Sequence, residues 1–246
     1  MSLTERQSQI LEDLCHEYIE RAIPVSSQFL KEKFNFPFSP ATIRAEFNQL
    51  ENQRYLFHPF VSSGKVPTDK GYRFFVDKIL ERENFIFPKS KIKLIEEILS
   101  QLEDLEDFLK ISNQMTKALS NLCSNLVLSY FPQEDILWKE GWERVVKEPE
   151  FQDADYMKEF MEDVANFERN IEKLEEEEGK ITVYIGRENP FKGKEMSIII
   201  SGICLPKKKQ GIVAILGPKR MDFERNIPLI DYFFNKNEKT RIREKN

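Results

Sequence analysis

The chain is poor in the residues that most enzyme and metal sites need. Its 246 residues include only two histidines, three cysteines and nine glycines. His16 and His58 are 42 positions apart and cannot form an HExxH motif, and no His/Cys spacing typical of a zinc site occurs. No two glycines are two positions apart, which rules out GxGxxG, and no GxxxxGK[ST] sequence occurs. No spacing of Ser, His and Asp nominates a triad. We therefore expect no catalytic residues, no metal site and no cofactor.

Disulfide patterns and long apolar runs are also missing. Cys15, Cys123 and Cys204 are odd in number and far apart, which favours a reducing compartment. The first residues contain no apolar signal core, and no run approaches the ~18 consecutive apolar residues of a membrane span. We therefore expect a cytoplasmic protein that has no membrane partner.

An excess of positive charge is absent as well. The formal net charge is −5, and the first eighty residues carry equal numbers of basic and acidic side chains. A protein that coats nucleic acid through general charge is thereby excluded, so any contact with DNA must come from a local surface. What the chain does have is 40% hydrophobic and 32% charged residues, a composition typical of globular proteins.

Helix starts are well marked in the first forty residues. Thr4 and Gln7 form a capping-box pattern, and Ser26 opens a second short helix. Ser39 followed by Pro40 gives an N-cap and a proline at the first helical position, where its missing donor does no harm. The sequence therefore predicts three successive helices.

The third of these helices has a distinctive outward face. Its core side carries Ile43, Phe47 and Leu50 at helical spacing. Small side chains let a helix backbone approach DNA closely, and Arg, Asn and Gln can make paired hydrogen bonds to base edges. An ordinary solvated face is the alternative interpretation. The face opposite the core comprises Ala41, Ala45 and Asn48, flanked by Thr42, Arg44 and Gln49.

A hairpin and a fourth helix are predicted next. Residues 55–58 have strand character, residues 59–65 are predicted to form a loop, and residues 66–67 form the returning strand. Thr68 then caps a helix. Three helices, a hairpin and a helix are typical of a winged helix-turn-helix. Hydroxyl, amide and ammonium donors in the loop would suit phosphate oxygens. These donors are Ser62, Ser63, Gly64 and Lys65.

Three sequence blocks carry a resemblance to a known family. Residues 24–27 (PVSS), 39–44 (SPATIR) and 62–73 (SSGKVPTDKGYR) resemble, in order and spacing, the motifs of the heat-inducible HrcA repressor family. The resemblance implies a dimeric repressor that binds an inverted-repeat operator in double-stranded DNA upstream of chaperone genes. It also implies that a GroEL-type chaperonin is a partner. The predicted DNA-binding residues are Ser39, Ala41, Thr42, Arg44, Asn48, Gln49, Ser62, Ser63, Gly64 and Lys65.

The chain departs from the family pattern near the predicted DNA surface. The family usually has Asn at Ala45, Arg at Lys65, Gly at Arg54 and His-Thr at residues 60–61. Loss of an amide at Ala45 removes one candidate base reader, whereas Asn48 and Gln49 could supply others. The resemblance therefore supports DNA binding more strongly than it specifies an operator.

The rest of the chain predicts a helical region and then a sheet. Residues 89 to about 128 have helical periodicity, with an apolar seam at Ile95, Ile98, Leu102, Leu105 and Leu109. A second seam follows within residues 157–174. Such seams pair within one chain or between two chains, and pairing within the chain is the simpler interpretation. Strands are expected at 181–185, 196–205 and 210–216, with a final helix at 223–234.

The segments at 185–190 and 217–223 resemble the family's C-terminal motifs and imply a GAF-like domain. Between Pro132 and Leu137 the chain joins directly two regions that family members separate with a long stretch. We therefore expect a reduced, shortened member of the α+β class. The expected division is a winged helix-turn-helix domain at 1–82, a linker at 83–88, and a helical and GAF-like α/β regulatory and dimerisation domain at 89–246.

Two functions remain open at this point. The first is a sequence-specific transcriptional repressor that acts as a homodimer. The second is a GAF-like ligand- or chaperone-sensing assembly module whose DNA-binding domain is weak or vestigial.

Overall fold

The computed structural model describes residues 3–60, 63–82, 89–103, 105–174, 176–205 and 208–243. The chain divides into two compact units. The N-terminal unit contains Met1–Glu81 together with Arg220–Asp222, and the C-terminal unit contains Arg82–Lys219 and Phe223–Asn246. The predicted linker at 83–88 lies outside the described residues.

The N-terminal unit contains four helices and a short antiparallel hairpin. Each helix follows a side chain that caps it, namely Thr4, Ser26, Ser39 and Thr68, as predicted. Both hydrogen bonds of the capping box between Thr4 and Gln7 are present. The elements are α1 (Glu5–Arg21), α2 (Ser27–Phe34), α3 (Pro40–Asn52), β1 (Leu56–Phe57), β2 (Val66–Pro67) and α4 (Asp69–Leu80).

The core of this unit lies among α1, α3 and α4. The predicted inward side chains of α3 are all buried, and they meet the apolar stripes of α1 and α4. Burying each such side chain contributes about 1.5–3 kcal/mol relative to exposure. The buried residues are Ile10, Leu11 and Leu14 of α1, Ile43, Phe47 and Leu50 of α3, and Phe75, Val76 and Ile79 of α4.

The C-terminal unit is built on a five-stranded antiparallel sheet with the strand order β4-β3-β7-β6-β5. Its strands are β3 (Leu126–Phe131), β4 (Ile136–Glu140), β5 (Ile181–Ile185), β6 (Met196–Leu205) and β7 (Lys209–Pro218). Its helices are α5 (Lys89–Glu103), α6 (Phe108–Cys123), α7 (Trp142–Val145), α8 (Ala154–Asn170) and α9 (Phe223–Arg243).

Helices cover both faces of this sheet. On one face, Phe160, Val164 and Phe167 of α8 pack against even-numbered strand residues such as Leu128 and Ile198. On the other face, α6 and α9 contact the strands, and the Thr116 hydroxyl donates to Ser129 at 2.9 Å. The strands are consequently apolar on both sides. The α+β class predicted from the sequence is confirmed.

The sequence prediction differs from the structure at two points. The helix expected to reach about Leu128 ends at Cys123. The next residue, Ser124, adopts the left-handed conformation at φ 55° that ends the helix. Residues 126–131 and 136–140 then form β3 and β4, which periodicity did not reveal. A continuous apolar run that is buried on both faces has no alternation to distinguish a strand from a helix. The final helix also extends to Arg243, beyond the predicted end at Phe234.

The apolar seam of α5 and α6 belongs in part to the interior of this unit. Ile95 is 1% exposed, and Ile98 and Leu102 are half-buried, whereas Leu109 is 50% exposed. The Tyr232 hydroxyl of α9 donates to Glu96 of α5 at 3.1 Å. The seam therefore starts as an intrachain contact, in agreement with the simpler interpretation. Within the described part of the chain, no helix is both long and apolar enough to cross a bilayer.

Candidate nucleic-acid interface

The start of α3 is fixed by its own side chains. Ser39 accepts a hydrogen bond from the Thr42 amide at 3.1 Å, and the two hydroxyls of Ser39 and Thr42 lie 3.0 Å apart. Pro40 occupies the first helical position. The first turn of α3 is thus held rigidly, with Ser39 exposed and Thr42 half-buried. A helix N-terminus of this kind offers amide donors and a positive dipole end to an anion.

The outward face of α3 lies where the sequence predicted it. Ala41, Arg44, Ala45, Asn48 and Gln49 are all exposed, opposite the buried core side chains. The helix has 13 residues, so this face is about 20 Å long. Small residues at the first and second turns leave the backbone open to close approach.

Gln49 differs from its neighbours because it is partly engaged inside the unit. The Gln7 amide nitrogen donates to Gln49 Oε1 at 2.7 Å and to Glu46 Oε2 at 3.1 Å. Arg6 completes the network through Glu46 at 2.5 Å. This cluster fixes α1 against α3. The hydrogen bond from Gln7 occupies the side-chain carbonyl oxygen of Gln49, so the side-chain NH₂ group of Gln49 remains available to a partner.

Arg44 and Asn48 are available in full. Neither side chain forms a hydrogen bond or an ion pair to any other residue that the structure describes. They lie four positions apart, one turn along the same face. The most adaptable donors of α3 therefore point away from the core without an internal partner.

The loop between β1 and β2 is closed by Ser63. The Ser63 hydroxyl donates to the Phe60 carbonyl at 2.8 Å and accepts from the Phe60 amide at 3.2 Å. Gly64 passes so close to Val25 that a Cβ on it would lie 2.4 Å from the Val25 carbonyl. Ser63 and Gly64 therefore shape the loop, and the ring of Phe60 is 75% exposed beside it. Ser62, also predicted to bind DNA, lies outside the described residues.

Lys65 requires a correction. The sequence predicted a loop cation facing phosphate, but this side chain is only 2% exposed and its ammonium contacts the Glu51 carboxylate of α3. Its backbone amide and carbonyl pair with Val25, each at 2.9 Å. Lys65 thus joins the hairpin to α3 and to the segment before α2. Its charge is neutralised internally and does not reach the surface.

Other cations around α3 also have internal partners, and the carboxylates among them offset positive charge. Within the described ranges, the side chains of Arg44 on α3 and of Arg54 just after it have no such partner. The partners are the Phe36 carbonyl for Lys31, the Glu17 and Glu20 carboxylates for Lys33, the Gln53 carbonyl for Lys70 and the Asp77 carboxylate for Arg73.

A group of possible metal ligands occurs on α1. His16, Glu17 and Glu20 bring ligand atoms within 4.8 Å of one another. Lys33 already contacts Glu17 at 2.5 Å and Glu20 at 3.4 Å. The hydrogen bond that the Lys33 ammonium donates to Glu17 raises the pKa of Lys33 above its ordinary value. The positive charge between these carboxylates is therefore supplied by the protein itself.

Arg54 explains one departure from the family pattern. It follows α3 with φ +64°, a left-handed conformation that glycine adopts without strain. Its amide donates to the Glu51 carbonyl at 2.8 Å, and its carbonyl accepts from the Thr68 hydroxyl at 2.7 Å. The backbone at this position thus has the geometry for which the family's glycine is suited, and the arginine tolerates it.

Comparison with curated proteins gives a consistent set of relatives. A Natranaerobius thermophilus protein named heat-inducible transcription repressor HrcA is 28% identical over 330 aligned positions, with 96% of each chain covered. A Brevibacillus brevis protein of the same name is 25% identical over 325 positions, covering 94% of this chain and 95% of that one. These alignments are longer than the 246 residues here. The relatives thus contain stretches that have no counterpart in this chain, as expected of a shortened member.

A solved structure shares the fold. A protein described only as hypothetical superimposes with a TM-score of 0.75 over 97% of this chain and 98% of that chain, at 20% sequence identity. The family model described as the HrcA protein C terminal domain matches residues 42–227, well over half of the chain. The chain belongs to the HrcA family, whose curated members are named heat-inducible transcription repressors.

Proposed function

We propose that this chain is a sequence-specific DNA-binding repressor of heat-shock genes that recognises an inverted-repeat operator. In this proposal the N-terminal unit, with a domain boundary near residue 82, acts as a winged helix-turn-helix. The observation that carries the proposal is the outward face of α3, where Arg44 and Asn48 are exposed and have no internal partner within the described residues.

In this proposal α3 enters the major groove by its N-terminal half. Ala41 and Ala45 let the backbone come close, and Arg44 reads guanine through paired hydrogen bonds to O6 and N7. Asn48, one turn further along, has the donor and acceptor geometry for adenine. Gln49 adds an amide donor beside them, and Ser39 and Thr42 keep the first turn in place.

The hairpin acts as the wing. Ser62, Ser63 and Gly64 approach the phosphate backbone, and the exposed Phe60 ring lies next to the sugar edge of the groove. Lys65 supports this arrangement from inside through Glu51 and Val25. Phosphate contacts of this type fix the position of α3 without reading sequence.

The C-terminal unit provides regulation and dimerisation in this proposal, as a reduced GAF-like domain of residues 89–246. The family resemblance suggests a GroEL-type chaperonin as its partner. An inverted repeat has two-fold symmetry, so a homodimer is required to place one α3 in each half-site.

The second candidate function is an assembly module with a weak DNA-binding domain. It is favoured by the internal pairing of the cations around α3, because a DNA-binding surface normally leaves several cations free for phosphates.

Selection of bound duplexes from random DNA separates the two functions. The full chain should enrich an inverted repeat with half-sites about one helical turn apart, or a multiple of that. The Arg44→Ala variant, carried through the same selection, should lose the preference at one position of each half-site. Failure of the unaltered chain to enrich any sequence at low salt would support the assembly module.

A further inference from the structure

The loop between β1 and β2 presents one aromatic ring to solvent. The ring of Phe60 is more exposed than any other large apolar side chain in the described part of the chain. Isolated apolar side chains are common on protein surfaces, so exposure alone assigns no role to this ring. What distinguishes Phe60 is how the hairpin holds it and which residues surround it.

The backbone that carries the ring is fixed on both sides. Pro59 precedes Phe60, and its ring locks one backbone angle of the loop. The Phe60 carbonyl accepts from the Ser63 hydroxyl at 2.8 Å and from the Ser63 amide at 3.0 Å. The Phe60 amide donates to the same hydroxyl at 3.2 Å. Both polar backbone groups of Phe60 are thus satisfied inside the loop, and ordering the ring against a partner costs little.

The base of the loop is tied to α3. The buried Lys65 ammonium contacts Glu51 of α3, and the Lys65 backbone pairs with Val25. Phe57 belongs to the last paired position of the hairpin, and Phe60 follows it by three residues, within about 11 Å. The position of Phe60 relative to α3 is therefore defined by the structure of one unit. A duplex that holds α3 in one groove meets Phe60 at a constant distance along its axis.

The hairpin has almost no charge. Residues 55–64 contain no Asp, Glu, Lys or Arg, although these four types make up 32% of the chain. The next residue is Lys65, whose ammonium is buried against Glu51. A wing of this composition has no free cation with which to displace counterions from phosphates. Its contact with DNA therefore depends on apolar surface and on neutral hydrogen-bond donors.

We propose that Phe60 is an apolar wedge that enters the minor groove beside the bases contacted by α3 and inserts between two stacked base pairs. The proposal rests on the proposed function, because it takes α3 to lie in the adjacent major groove. Apolar side chains of proteins that bind the minor groove unstack a base step in this way and kink the duplex. The Phe60 ring then exchanges water for the faces of two bases, and no charge has to be desolvated with it.

A wedge reads how easily DNA deforms, whereas Arg44 and Asn48 would read base edges. Pyrimidine–purine steps such as TA and CA/TG are unstacked most easily. Phe60 therefore adds a preference for such a step at one position of each half-site, at a constant distance from the bases that α3 contacts. This preference arises without any hydrogen bond to a base.

Selection from random duplexes, carried out with the full chain and with Phe60→Ala, tests the proposal. The unaltered chain should enrich a pyrimidine–purine step at a constant distance from the bases that α3 contacts. Phe60→Ala should keep the bases contacted by α3 and lose the preference for that step. Its affinity for the selected duplex should fall by about tenfold, the size expected when one aromatic contact with a base is lost. The salt dependence should stay the same, because no charge is removed.

A fluorescent base reports the unstacking directly. A duplex with 2-aminopurine in place of the adenine of that step should become more fluorescent when the unaltered chain binds. With Phe60→Ala bound at saturation, the fluorescence should stay low. Phe60→Leu retains an apolar wedge and should retain most of the increase.

A matched control and two opposite outcomes make the test specific. Leu94→Ala removes another exposed apolar side chain, on α5 of the C-terminal unit, and should change neither affinity nor fluorescence. Circular dichroism checks that each variant is folded. Binding of the unaltered chain without a rise in fluorescence, or an unchanged step preference in Phe60→Ala, would overturn the wedge and leave DNA recognition by α3 intact. Failure of the unaltered chain to bind any duplex would overturn both proposals.

Discussion

The Lys65 ammonium contacts the Glu51 carboxylate, which joins the hairpin to the last turns of α3. The two members of the pair differ in exposure, because the Lys65 side chain is 2% exposed and that of Glu51 is 35% exposed. A carboxylate left alone at this site can be hydrated, whereas an ammonium left alone there cannot. Removing Glu51 should therefore cost more stability than removing Lys65.

This asymmetry gives a stability prediction. Glu51→Ala should lower the free energy of unfolding by about 2–4 kcal/mol, because it leaves a buried cation without a partner. Lys65→Met keeps the aliphatic stem and should cost less, about 1–2 kcal/mol. Urea unfolding of both variants at constant m-value measures the difference. Equal losses would contradict the asymmetry inferred from the exposure of the two side chains.

Arg54 predicts a stabilising substitution. Arg54→Gly should raise the free energy of unfolding by about 0.5–1 kcal/mol, since glycine relieves a left-handed backbone at φ +64°. Arg54→Ala removes the same side chain but keeps the strain, so it is the matched control and should give no gain. Thermal unfolding of the two variants side by side provides the measurement. A gain for alanine equal to that for glycine would point to the side chain as the source.

The elements of the N-terminal unit could be predicted because their signals are local. Helix caps at Thr4 and Ser39, and the spacing of Ile43, Phe47 and Leu50, act within a few residues of the helix that they specify. The outward direction of Arg44 and Asn48 follows from the same periodicity. The burial of Lys65 and its ion pair could not be predicted, because its partner lies fourteen positions away on another element.

The sheet of the C-terminal unit was harder to predict for a different reason. Leu126, Val127 and Leu128 are all fully buried, since helices cover both faces of β3. A strand that is buried on both sides loses the alternation that marks a half-exposed strand. The clearest signal available was Ser124 and Asn125 after the last helical residue, a polar pair typical of a turn.

Arg44 should carry sequence discrimination. Arg44→Ala should reduce the preference for the specific operator over mismatched DNA by about 1–3 kcal/mol, through loss of paired hydrogen bonds to a base. Arg187→Ala, which removes an exposed arginine of the C-terminal unit, is the control and should leave that preference unchanged. Fluorescence anisotropy with matched and mismatched duplexes measures both. A uniform loss over all duplexes would make Arg44 a phosphate contact.

The salt dependence of DNA affinity should be modest for a repressor dimer. Most cations near α3 are paired internally, so we expect roughly four phosphate contacts and a log–log slope of about −4. Titration of the operator at several salt concentrations determines the slope. A slope steeper than about −8 would mean that internal pairs such as Lys33 with Glu17 open on binding.

The three cysteines should differ in reactivity. Burial raises the pKa of the Cys123 thiol to about 11 and raises that of Cys15 well above its usual value. At pH 8 about one Cys123 in a thousand would be a thiolate, and it is buried besides. Cys204 is exposed and should react first with a thiol reagent, faster as the pH rises. Cys204→Ser should abolish the fast phase, and a remaining fast phase would show that one buried site opens.

The position of β7 beside β3 sets an order of events during synthesis. The helices α1 to α4 and the hairpin β1-β2 make their contacts within eighty residues, so they can fold while the rest is still being made. The strand β3 cannot complete its pairing until Ile215 has emerged to meet Val127. At about 5–20 residues per second, this delay lasts roughly 5–20 s. Throughout it one edge of a strongly apolar strand remains unpaired, a condition that invites aggregation and gives chaperones a nascent segment to protect.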